Sequence, residues 1–175
     1  KVADKCIDSI VAAADLLSET FRTGGKVLIC SNGGSAADSQ HMAAEFVSRL
    51  TEDFKRPGMP AIALTTDTSF LTAFSNDFNF EGIFQRQVET LGKPGDALVG
   101  ISTSGNSSNV VRAMEAAAAN SVRTVVLTGD SGRLAAMADV AIQVPSGFTQ
   151  HIQESHLAIE HILCHLVERA VHAGG

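Results

Sequence analysis

The sequence predicts an α/β protein, a doubly wound five-stranded parallel sheet flanked by helices. Three observations predict it. Five short runs are essentially uninterrupted apolar sequence: Lys26–Cys30, Ala61–Leu64, Ala97–Ile101, Thr124–Leu127 and Val140–Val144. Strands buried on both faces read this way. Helical sequence separates each run from the next, which is the alternation of βαβ units. Two of the runs end in Ser- and Gly-rich loops at the point where helical sequence begins: Ser31-Asn32-Gly33-Gly34-Ser35 and Ser102-Thr103-Ser104-Gly105-Asn106-Ser107. In a sheet of this class, ligands bind beyond the carboxyl ends of the strands, where both loops should lie.

The elements follow in order. Val2, Cys6, Ile10, Ala13, Leu17 and Phe21 form one apolar stripe at helical spacing, and Gly24-Gly25 ends that helix. After the first strand, Ser35 to Leu50 reads as a helix, and Pro57 to Pro60 breaks the chain before the second strand. Thr65 to Asn79 is polar and mixed, with a helix expected between Asp67 and Ser75. Phe80 to Leu91 reads as a helix, and Lys93-Pro94-Gly95-Asp96 turns into the third strand. Ser107 to Ala119 is an Ala-rich helix, and a short helix near Leu134–Met137 lies between the last two strands.

Ile152 to His172 is a long closing helix, apolar nearly all round. Ile152, Ile159, Leu163 and Leu166 cover one side; Leu157, Ile162, Cys164 and Val167 widen it. One sheet cannot bury that whole circumference, so the spare surface predicts a subunit interface and a homo-oligomer.

A chain of 175 residues suits a single domain, 1–175, with a sizeable core. With 19 acidic and 13 basic residues and no Lys/Arg cluster, it is not expected to bind nucleic acid directly. Cys6, Cys30 and Cys164 lie far apart and read as reduced core residues of a cytosolic protein, not as a disulfide framework. No apolar stretch approaches the ~20 residues of a membrane span, and no signal peptide is visible, so a cytoplasmic location is expected. The sequence opens without Met, inside helical sequence, as if an N-terminal segment were missing.

The two loops suggest a phosphorylated ligand. Hydroxyls and free backbone N–H groups at a helix N-terminus suit an anion, because the helix dipole and the orphan donors favour one there. Ordinary βα turns capped by Ser have the same composition. The helix after the first loop carries Asp38, His41 and Glu45 on one face. His and Glu at i, i+4 can share a metal ion, form a base with its partner, or simply pair at the surface. The closing helix carries Gln153, Glu154, His156, Glu160, His161 and His165 within otherwise apolar sequence. Buried polar groups need partners, so some of these should be functional or interfacial.

Together these residues resemble the sugar isomerase (SIS) domain proteins and, within them, the bacterial phosphoheptose isomerases. The carrying motifs are Asn32-Gly33-Gly34-Ser35 with His41-x-x-x-Glu45, Asn76-Asp77-Phe78, the Ser102–Ser107 loop, and Ile152-Gln153-Glu154 with His161. They come in the family's order and span essentially the whole chain, although the family's N-terminal helix is partly absent. The Ser loop alone indicates the SIS fold; the His-x-x-x-Glu helix with the Ile-Gln-Glu motif and His161 is more specific. Two positions depart: Ser31 stands where Gly is frequent, and His151 where Arg is usual, which alters the charge near the site.

The resemblance implies an isomerase that converts sedoheptulose 7-phosphate to D-glycero-D-manno-heptose 7-phosphate, the first step toward ADP-heptose for lipopolysaccharide. It implies one zinc per subunit on His41, Glu45, Gln153 and His161, and a homotetramer. It implies phosphate contacts from Ser35, Ser102, Ser104 and Ser107, and positions near the sugar at Asn32, Gly33, Asp77 and Thr103. Asp38 matches an acid beside the metal helix, and Gln153 would also meet substrate. An aldose–ketose interconversion through an enediol needs a base and a group that manages hydroxyl protons. Glu45 is the candidate base and His161 the candidate acid or ring-opening shuttle. Two other readings carry similar motifs: a SIS protein that binds a replication initiator, and a sugar-phosphate sensor without catalysis.

Overall fold

The computed structural model describes residues 2–172; Lys1 and residues 173–175, the ends of the expected 1–175 domain, lie outside the described residues. The five strands are β1 (Val27–Cys30), β2 (Ala61–Ala63), β3 (Ala97–Ser102), β4 (Arg123–Thr128) and β5 (Val140–Gln143). They form one parallel sheet in the order β2-β1-β3-β4-β5. The helices are α1 (Val2–Lys5), α2 (Ile7–Arg22), α3 (Gly33–Val47), α4 (Thr68–Asp77), α5 (Ile83–Leu91), α6 (Ser108–Ala119), α7 (Leu134–Met137) and α8 (Thr149–His172).

Alternate residues of each strand point to opposite faces of a sheet, so this chain builds two cores. On one face Val27, Ile29, Val99, Ile101, Val125 and Leu127 pack against α2, α3 and α8. On the other, Leu28, Cys30, Leu98 and Val126 pack against α5, α6 and Leu134 of α7. Every residue of β1 and β3 is buried, which is why neither strand shows polar alternation in sequence. All three cysteines are free and buried, as expected. Burial pushes the Cys30 thiol up to about 12, which keeps it protonated.

Several boundaries differ from the sequence reading. The opening stripe is interrupted at Cys6, whose thiol turns inward to the Gln143 carbonyl at 3.3 Å. The third helix starts at Gly33 and stops at Val47, not at Ser35 and Leu50. Phe80–Gly82 is a 3₁₀ turn ahead of α5, and Asn79 caps it by accepting from the Gly82 amide. The closing helix begins at Thr149. Leu166 does not share the buried side with Ile152, Ile159 and Leu163. It lies exposed with Leu157 and Ile162, while Cys164 and Val167 are buried. A 3.6-residue period places Leu166 beyond the edge of the stripe that meets the sheet.

Candidate active site

β1 and β3 are neighbours, yet the helices that follow them leave toward opposite faces: α3 joins the first core and α6 the second. This is the topological switch point of a doubly wound sheet, and it opens a crevice beyond the strand ends. Both Ser-bearing loops flank it. Two links hold them together. Ser31 Oγ donates to the Ile101 carbonyl at 2.7 Å. Asn32 and Asn109 exchange amide hydrogen bonds of 2.8 and 2.7 Å, joining the start of α3 to the first turn of α6. Asn109 was not singled out by the sequence. An Asn just ahead of Val110 and Val111 was the available signal, and the structure buries it.

The second loop gathers its hydroxyls. Ser102 Oγ lies 2.9 Å from Ser107 Oγ and 3.5 Å from Ser104 Oγ, and Ser104 Oγ accepts from the Asn106 amide. Gly105 holds φ at +64°, and a Cβ there would stand 2.3 Å from the Ser131 carbonyl oxygen, so only glycine fits. Ser107 is the N-cap residue of α6, yet its hydroxyl makes no capping bond and faces Ser102 instead. The Ser108 and Asn109 amides that open α6 therefore keep their anion-binding capacity, while the Val110 amide donates to Asn109 Oδ1 at 2.9 Å. Thr103 borders the loop, half-buried. Arg133 approaches through its backbone, donating its amide to Asn106 Oδ1.

The first loop connects to α8. Gln153 Nε2 donates to Ser35 Oγ at 3.4 Å, and Gly34 lets the Gln153 amide pass: a Cβ there would stand 3.2 Å from Nε2. Gly33 opens α3 with φ +58°. Six residues after Ser35, about 9 Å along the helix axis, His41 meets α8. Its Nε2 lies 2.8 Å from Nε2 of His161, with ring centroids 5.0 Å apart, and 3.7 Å from Oε1 of Glu45. Oε2 of Glu45 is buried without a partner among the described residues. Asp38 stands on the same face, its carboxyl raised by burial and lowered in part by His41.

Thus Glu45 and His161 converge on His41, while Ser35, Gln153, Ser102, Ser104 and Ser107 line the loops. Asp77 is not joined to them by any contact among the described residues; it is exposed and accepts a hydrogen bond from Asn76. Its position at the end of α4, which buries no residue, accounts for this. His151, on the first turn of α8, is exposed beside the Phe148 ring.

Behind the convergence, α8 buries polar groups. His156 Nε2 faces the Thr128 carbonyl at 3.2 Å, and burial lowers its pKa. Neither carboxylate oxygen of Glu160 has a partner among the described residues, and burial, then Asp38, pushes its pKa up to about 8. The sequence marked both as polar residues on an apolar helix but could not say which were sealed.

Among the described residues, no three His, Cys, Asp or Glu side chains stand in ligating geometry. The His41–His161 separation is that of a hydrogen bond between rings, whereas two imidazoles sharing a tetrahedral ion stand about 3.3 Å apart. The donor chemistry nevertheless suits a divalent metal. Two imidazole nitrogens face each other beside a carboxylate with one unsatisfied oxygen, and a small parting of the rings would admit an ion.

With this geometry in hand, the chain can be set beside known proteins. The SIS domain profile matches residues 1–129. The phosphoheptose isomerase of Roseiflexus sp. is 56% identical over 163 residues, covering 93% of this chain and 82% of that protein. This chain belongs to the SIS domain family, in its phosphoheptose isomerase branch. Two solved phosphoheptose isomerases share its fold. The structure from Neisseria gonorrhoeae superposes with a TM-score of 0.89 at 44% identity, covering 95% of this chain and 88% of that one. The structure from Francisella tularensis gives 0.91 at 37% identity, covering 96% and 89%. Membership of the isomerase branch favours the catalytic reading over an initiator-binding module or a sensor. No helix among the described residues is long and apolar enough to cross a membrane.

Proposed function

We propose that this chain interconverts sedoheptulose 7-phosphate and D-glycero-D-manno-heptose 7-phosphate, supplying precursor for ADP-heptose and lipopolysaccharide in the cytoplasm. The observation that carries the reading is the convergence of Glu45 and His161 on His41, two turns along α3 from a hydroxyl-rich loop. The phosphate is held by Ser35, Ser102, Ser104 and Ser107 with the opening amides of α3 and α6, and the positive helix ends supply the charge. Asn32, Gly33, Thr103 and Gln153 border the sugar. Asp77 would join them if α4 moves or a second subunit presents it.

Glu45 takes the proton from C1 of the ketose while His161 gives a proton to the C2 oxygen, forming the enediol. His161 then recovers a proton from the C1 oxygen as Glu45, its proton exchanged with solvent, protonates C2, leaving the aldehyde at C1. His41, Glu45, Gln153 and His161 would hold one zinc per subunit, and the ion when bound would polarise the substrate carbonyl. Of the proton-moving groups, Glu45 has an oxygen, Oε2, without a partner among the described residues. The exposed Leu157, Ile162 and Leu166 of α8 support a homotetramer with sites at subunit contacts.

The test is incubation with sedoheptulose 7-phosphate in heavy water. Formation of the aldoheptose phosphate with deuterium at C2 is expected; neither product nor exchange would overturn the reading. Chelation should lower activity and zinc restore it, and full activity in metal-free protein would remove the metal. A light-scattering mass of a single chain would contradict the tetramer.

A further inference from the structure

Arg56 lies in the loop between α3 and β2, and its side chain is only 1% exposed. The proton transfers above do not use it. Its guanidinium bonds in several directions. Nη2 donates to the Glu45 carbonyl at 2.7 Å, Nη1 to the Phe46 carbonyl at 2.8 Å and the Pro57 carbonyl at 3.0 Å, and Nε to Glu168 Oε2 at 3.1 Å. The carbonyls of Glu45 and Phe46 belong to the last turn of α3, which lacks intrahelical partners and carries the negative end of the dipole. Glu168 is fully buried on α8, seven residues after His161, about two turns along the same face. One planar cation therefore ties the end of the helix that bears Glu45 to the helix that bears His161.

The charges around it point the same way. Cys164, on α8 between His161 and Glu168, is raised first by burial and then by Glu160, Glu45 and Glu168, while Arg56 acts in the opposite sense. Arg56 is thus the cation set against three carboxylates in this layer. An apolar pair of similar volume often serves stability as well as a buried ion pair does. Stability alone does not account for the guanidinium fork, whose several donors match several acceptors at once.

We propose that Arg56 and Glu168 form a clamp that sets the placement of α3 against α8, making Arg56 a positioning residue that holds Glu45 and His161 in register on His41. The kinetic consequence rests on the isomerase reading; the structural one does not.

The test compares wild type with Arg56→Lys, Glu168→Gln and the double variant Arg56→Met/Glu168→Met. The measurements are melting temperature, kcat and KM for sedoheptulose 7-phosphate, and the imidazole ¹H–¹⁵N resonances. The double variant should stay folded, with kcat about 10-fold or more below wild type and KM within about twofold, because the clamp touches catalytic alignment and not the phosphate loops. Arg56→Lys keeps the charge but loses the fork, and should lie between. The resonances of His41 and His161 should move while that of His151 stays. Wild-type kcat in the folded double variant, or unmoved His41 and His161 resonances, would overturn the clamp. Should the Met variant not fold, Arg56→Lys and Glu168→Gln carry the same comparison. Should the wild type not turn over this sugar, the isomerase reading fails and the resonances still decide the clamp.

Discussion

At the amino-terminal edge of the sheet, Asp96 receives three hydrogen bonds: from the Lys26 amide, the Lys26 ammonium and the Lys93 amide. In the α3–α8 helix layer over one face of the sheet, Glu160 receives none among the described residues. The contrast extends to neighbours. Asp139 accepts from both the amide and the hydroxyl of Thr124, fastening β4 at its start. At the ends of β1 and β3, hydroxyls of Ser102, Ser104 and Ser107 face one another, and in the α3–α8 layer Glu45 Oε2 and His156 Nδ1 lack partners among the described residues. Polar groups at the amino-terminal edge are spent on the fold. Around the Ser loop and in the α3–α8 layer they are left with unused capacity, as a ligand site requires, and the fold bears the cost of desolvating them.

This division can be broken by substitutions in each set. The largest effect is expected from Glu45→Gln. It keeps the size of the side chain but removes the basic carboxylate, so kcat should fall ~10²-fold or more with little change in melting temperature. Retained exchange of the C1 proton with heavy water in this variant would assign the base elsewhere, with His161 or Asp38 next in line. Ser104→Ala with Ser107→Ala should raise KM ~10-fold or more, since each hydroxyl lost removes a donor to a charged group. An unchanged KM would show that the loop does not hold the phosphate.

At the amino-terminal edge, Asp96→Asn should leave kcat and KM alone and cost about 2 kcal/mol, the scale of a charged hydrogen-bonded group. For a chain of this length that lowers the melting temperature by roughly 4 to 8 °C. Burial acts to raise the Asp96 pKa, but the bonds from Lys26 and Lys93 outweigh it, and the carboxyl sits below its ordinary 3.8. Its contribution is therefore present above that value and is lost as pH falls below it. The gap between Asp96→Asn and wild type should narrow as pH falls below 3.8; a gap that does not narrow in acid would mean that the ionised form is not what stabilises.

The smallest effect has the opposite sign. Glu160→Gln should raise the melting temperature by about 2 to 4 °C at pH 8. Here the folded-state pKa, about 8, lies above the ordinary 4.5, so the folded chain holds a proton that the unfolded chain releases. Wild-type stability thus falls as pH rises between those values, and the variant escapes that fall. A variant less stable than wild type at pH 8 would reveal a partner for Glu160.

The strands, the two loops and the face that joins Asp38, His41 and Glu45 were legible in the sequence, because each is a local pattern. Burial on both faces removes alternation from β1 and β3, a turn into a helix selects Ser and Gly, and spacings of three and four share a helix face. Distant pairings were another matter. His41 and His161 are 120 residues apart, and Arg56 and Glu168 are 112 apart. No periodicity encodes a contact between helices so separated; the order of the strands and the crossing of α3 with α8 decide it. The resemblance to the isomerase family had named His41 and His161 together, but not the clamp behind them, nor the amide exchange of Asn32 with Asn109. The same holds for burial: Glu160 and Glu154 are both acidic residues of α8, and only packing against α3 and the sheet seals one and leaves the other in water.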